Sequence, residues 1–90
     1  MELKKFKIVG IDYKKGTYEG KNWENWYFHC VVLNPEQQLI AGELTEVIKV
    51  SANQIGNFSK GRVVDKTLLG NIFTPYYDRY GTIITCDWIK

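Results

Sequence analysis

The sequence predicts an all-β chain, and three observations carry that expectation. Apolar and polar residues alternate with period two through most of its length, the pattern of half-buried strands. Clusters of glycine, asparagine and proline interrupt the alternation and read as turns. Only one short stretch, Ser51-Ala52-Asn53-Gln54-Ile55, reads as helix, with Ser51 as its N-cap.

Each element follows from its residues. Strand one is expected over about Leu3–Tyr13. Phe6 and Ile8 share one phase there, Ile11 and Tyr13 the other, and Gly10 stands at the slip, the signature of a bulge that bends a long strand. Lys14–Asn22 reads as a connection made flexible by Gly16 and Gly20. Strand two, about Trp23–Leu33, puts Trp26, Phe28, Cys30 and Val32 on one face and Trp23, Asn25, Tyr27 and His29 on the other. Asn34-Pro35-Glu36-Gln37 is a turn.

Strand three is expected over about Leu39–Val50, with Ile48 and Val50 on one face and Val47 and Lys49 on the other. The short helix ends at Gly56 or Gly61. Strands four and five, about Leu68–Tyr77 and Gly81–Ile89, form a hairpin through Asp78-Arg79-Tyr80-Gly81. Three strands, a short helix and two more strands is the order of an OB-fold, a five-stranded, partly open barrel. An SH3-like barrel is the alternative, because sequence does not fix strand pairing. Closure into a barrel removes the exposed edges of so short a chain.

The 90 residues suffice for one domain, 1–90, with one modest core. Phe6, Trp26, Phe28, Phe73 and Trp88 are assigned to that core. A composition of 44% hydrophobic and 24% charged residues is that of a folded chain. No apolar run is long enough to cross a bilayer and the start MELKKFK lacks a signal peptide's apolar stretch, so the expected location is the cytoplasm. In that compartment Cys30 and Cys86 are expected as reduced thiols.

No phosphate-binding glycine loop, HExxH motif or paired CxxC occurs, and the lone His29 leaves no pattern for a catalytic dyad or a zinc site. The chain is read as a non-enzyme with no cofactor, no metal and no small-molecule substrate. The net charge is only +2, but residues 1–21 hold six lysines against three acids. A weakly basic domain with uneven charge still carries a basic stripe.

That stripe coincides with aromatic residues. In "KKGTYEGKNWENWYFHC", residues 14–30, lysines alternate with tyrosine and tryptophan. An OB-fold binds oligonucleotides on its second and third strands and on the loops joining strands one to two and four to five. Those regions hold Lys14, Lys15, Tyr18, Lys21, Trp23, Tyr27, Lys49, Tyr77, Arg79 and Tyr80. Exposed rings stack on unpaired bases and cations neutralise phosphates, so the pattern points to single-stranded DNA, or RNA, bound with little sequence preference. A protein-interaction module that grips a peptide with the same aromatics is the alternative. The apolar outward positions Val31 and Leu33 suggest a homodimer interface.

The stretches "GTYEGKNWENWYFHC", "VIKV" and "LLGNIFTPYYDRYGTIITCDWI" resemble the small OB-fold single-stranded DNA-binding proteins of phages and mobile elements, notably the helix-destabilising proteins of filamentous phages. The resemblance implies a dimer that coats single-stranded replication intermediates, with Tyr18, Lys21, Tyr77 and Arg79 as contacts.

Overall fold

A computed structural model describes residues 4–35 and 38–89. Strands β1 (Phe6–Tyr18), β2 (Lys21–Val32), β3 (Thr45–Ser51), β4 (Ile72–Tyr77) and β5 (Ile83–Trp88) form one antiparallel sheet in the order β3-β2-β1-β4-β5. Helix α1 (Ala52–Ser59) stands between β3 and β4, followed by a single 3-10 turn at Lys66–Leu68. Strands β3 and β5 are the two edges and do not pair, so the sheet is not closed into a barrel. The expected closure is corrected. A cleft of about 460 Å³, lined by Glu46, Lys49, Gln54, Tyr77 and Thr82 among others, lies where a β3–β5 seam would run.

The bulge expected at Gly10 is present. Ile8 pairs with Cys30 and Gly10 with His29, leaving Val9 unopposed. Before the bulge β1 serves both neighbours, pairing Phe6 with Phe73 and Lys7 with Ile72 of β4. Beyond it β1 stays with β2 alone and projects as a long hairpin. Residues 14–22, expected as a flexible connection, are therefore mostly strand. Tyr18 pairs with Lys21, and only Glu19 and Gly20 make the turn, both with positive φ, as a type I′ hairpin requires.

Strand three is shorter than expected, because residues 38–44 are irregular. Helix α1 runs through Gly56, so of the two expected stops Gly61 is the one used. It stops where Lys60 turns left-handed at φ 51° and Gly61 follows at 87°. Its start is held by Ser51, whose backbone N–H and hydroxyl both donate to Gln54 Oε1 at 3.2 and 2.9 Å. Strand four begins at Ile72 rather than Leu68. The turn to β5 holds as expected: Gly81 N–H donates to the Asp78 carbonyl at 3.1 Å, and Gly81 has φ 81°. Leu3, Glu36 and Gln37 of the expected elements lie outside the described residues.

The second helical turn delivers Phe58 to the centre of the core. Its ring lies 4.9 Å from Phe28, 5.1 Å from Phe73 and 5.3 Å from Trp88, centroid to centroid. Full burial of such a ring stabilises by about 1.5–3 kcal/mol. The carbonyl of Phe58, exposed by the helix end, accepts from Trp88 Nε1 at 2.9 Å and from the Cys86 thiol at 3.2 Å. These bonds pin α1 to β5. Of the expected core, Phe6, Phe28 and Phe73 are buried, while Trp26 and Trp88 are half-buried against them.

Val31 is buried beside residues 39–44, so it does not offer the outward apolar contact that a dimer through Val31 and Leu33 needs; Leu33 alone is exposed. Cys30 and Cys86 are free and buried. Among the described residues no helix is long and apolar enough to cross a membrane.

Candidate nucleic-acid interface

Strand alternation and the pairing register fix which side chains share a face. On the side away from the core, β1 presents Asp12, Lys14, Gly16 and Tyr18, and β2 presents Lys21, Trp23, Asn25, Tyr27 and His29. Strand β3 continues that face with Val47, Lys49 and Ser51. The register aligns these residues in rows: Lys14 beside Asn25 and Ser51, then Asp12 beside Tyr27 and Lys49. Lys14, Tyr18, Lys21, Trp23, Tyr27 and Lys49 thus belong to one continuous surface.

Lys15 does not. It pairs with Glu24 in the phase of Ile11 and Tyr13, on the other side of the hairpin. The earlier grouping of Lys15 with Lys14 follows from treating the segment as a loop, in which neighbours need not alternate.

Trp23 takes its position from Gly16 across the hairpin. A Cβ on Gly16 would lie 2.6 Å from Trp23 Cζ2 and 2.8 Å from Cε2, so the indole rests directly on bare backbone. The residue remains 40% exposed. Tyr27 is half-buried, with the Lys14 ammonium 5.2 Å from its ring centroid. Lys14 also lies 4.0 Å from the Asp12 carboxylate, an exposed pair worth at most about 1 kcal/mol. The face is therefore mixed in charge, with cations in excess.

The β4–β5 turn carries Arg79 and Tyr80, the guanidinium 5.0 Å from the ring centroid. Asp78 Oδ1 shapes this turn by accepting from the N–H groups of Tyr80 and Thr82 at 2.8 and 3.0 Å. Tyr77 lines the cleft against β3. Burial raises its phenol pKa, and the negative charge of Glu46 adds to that. Tyr77 thus faces Asn25 and Lys49 of the outer rows across the cleft, whereas Arg79 and Tyr80, on the turn beyond, do not line it.

Sequence reading missed Gly16, taken only as a flexible turn residue, and Asn53, absorbed into the helix. A glycine two positions before a tyrosine and seven before a tryptophan reveals its partner only once the hairpin register is known.

The thiols are unsuited to nucleophilic work. Burial pushes Cys30 up to about 12, helped by Glu46. Burial likewise pushes Cys86 up to about 12, with Lys60 and Arg62 opposing and Asp87 adding. Among the described residues no three His, Cys, Asp or Glu side chains gather as a metal site needs. Comparison with known proteins finds no matching family model, no matching curated protein and no matching solved structure.

Proposed function

We propose that the chain binds single-stranded DNA without enzymatic action and with little sequence preference, through the outer face of β1, β2 and β3. The observation that carries this reading is the shared register of Lys14, Tyr18, Lys21, Trp23, Tyr27 and Lys49. Rings and cations interleave there at strand spacing. Stacking contributes about 1–3 kcal/mol per base and tolerates any base. The strand order, with β1 shared between two neighbours and a helix after β3, supports an OB-like layout whose β3–β5 seam is left open. A role in replication or transfer of a phage or mobile element is the setting that the sequence resemblance implies.

The test is quenching of tryptophan fluorescence by oligo-dT. Lys14, Lys21 and Lys49 as phosphate partners give a slope of log affinity on log salt of about −2. Affinity should then fall about twentyfold between about 50 and about 200 mM salt. A folded protein that shows no saturable quenching at the lower salt overturns the reading.

The second reading is a protein-interaction module, favoured by the cleft between β3 and the β4–β5 hairpin, where two unpaired strand edges face one gap. Binding there would be insensitive to salt.

A further inference from the structure

Trp23 borders a second, smaller hollow where β3 passes into α1. It measures about 260 Å³ and is lined by Trp23, Asn25, Ser51 and Asn53 among others. Three placements define it. The indole is backed by Gly16, so one side is fixed and the residue stays partly open to a ligand. Asn25 is the next outward residue on β2 and pairs with Ser51. Asn53 lies in the first turn of α1, which the Ser51–Gln54 hydrogen bonds hold against the sheet.

Charge decides what the hollow accepts. Its lining includes Glu24 and no lysine or arginine, so a phosphate is disfavoured there. The carboxamides of Asn25 and Asn53 have no hydrogen-bond partner among the described residues, whereas Asn22 Oδ1 already accepts from the Thr17 hydroxyl at 3.0 Å. An aromatic wall with two unengaged carboxamides suits a flat, neutral heterocycle that carries a donor beside an acceptor. A carboxamide matches adenine bidentately through the amino group and the adjacent ring nitrogen.

We propose that this hollow is a nucleobase subsite: Trp23 stacks on the base, and Asn25 and Asn53 hydrogen-bond its edge, with adenine preferred. The proposal rests on the outer face being a nucleic-acid surface, and adds one base-reading position to an otherwise tolerant site.

The experiment compares two oligonucleotides, a short oligo-dT and the same oligomer with a single central adenine. Each is titrated into the wild-type protein and into the double variant Asn25→Ala, Asn53→Ala, with near-UV circular dichroism confirming that both are folded. The wild type should bind the adenine-bearing strand about fivefold or more tightly than the all-thymine strand. The double variant should lose that advantage and keep the wild-type salt slope. Equal wild-type affinity for the two strands, or a preference that survives in the variant, overturns the subsite while leaving the outer face as a binding surface. Failure of the wild type to bind either strand overturns the outer-face reading and the subsite with it.

Discussion

Gly16 is the residue on which the proposed binding face turns. Alanine is ordinarily better than glycine within a strand by about 0.5–1 kcal/mol, but here its Cβ would enter the Trp23 ring. Gly16→Ala is expected to swing the indole away, change the near-UV circular dichroism and weaken oligo-dT binding by about 1 kcal/mol or more, with the salt slope unchanged. Gly10→Ala is the control, since a Cβ there meets His29 at an ordinary 3.5 Å. The cysteines give a second expectation at this scale. The folded thiols hold their protons up to about 12, above the ordinary 9.0. Their contribution to stability is thus complete below about pH 9 and is lost as the pH rises from there toward 12. Urea denaturation at about pH 8 and about pH 10 should show a smaller loss of stability on raising the pH in Cys30→Ala than in wild type.

At the scale of elements, the β1–β2 hairpin holds the least comfortable backbone. Glu19 sits at φ 49°, a left-handed conformation that costs a non-glycine residue about 1 kcal/mol or more. Asparagine tolerates that region and favours a type I′ turn before glycine, so Glu19→Asn should stabilise the fold by several tenths of a kcal/mol, measurable as a rise in urea midpoint with unchanged m-value. The same turn shows why the sequence was legible only in part. Period-two alternation marked the bulge at Gly10, the faces of β2 and β3, and the Asp78–Gly81 turn. Glu-Gly lacks the Asn-Gly signal that announces a two-residue hairpin, so residues 14–22 read as loop and Lys15 was grouped with the wrong face. Phe58 was not assigned to the core because Gly56 and Gly61 both read as helix stops, and it is the packing of Phe58 on Phe28, Phe73 and Trp88 that carries the helix through the first of them.

For the whole molecule, the open sheet changes how the candidate groups combine. Closing β3 onto β5 would bring the β4–β5 turn against the outer face; with the seam open, Tyr77 shares a cleft of about 460 Å³ with Asn25, Lys49 and Ser51 of the outer rows. Barrel closure was not legible because it depends on whether two edges meet, which alternation within a strand does not report. The outer face proposed for binding was legible where strands alternate, at Trp23, Tyr27 and Lys49, and illegible where a cross-strand partner decides, as at Gly16. With a net charge of +2, the proposed binding rests on three lysines sharing one face with the exposed rings.

The most direct measurement is a map of backbone amide chemical shifts on adding oligo-dT at low salt. Perturbations should concentrate on Lys14, Gly16, Tyr18, Lys21, Trp23, Tyr27 and Lys49, and leave Lys15 and the Lys66–Leu68 turn little changed. Perturbations confined to β5 and the β4–β5 turn, or none at saturating oligonucleotide, would contradict a nucleic-acid site on the outer face of β1, β2 and β3.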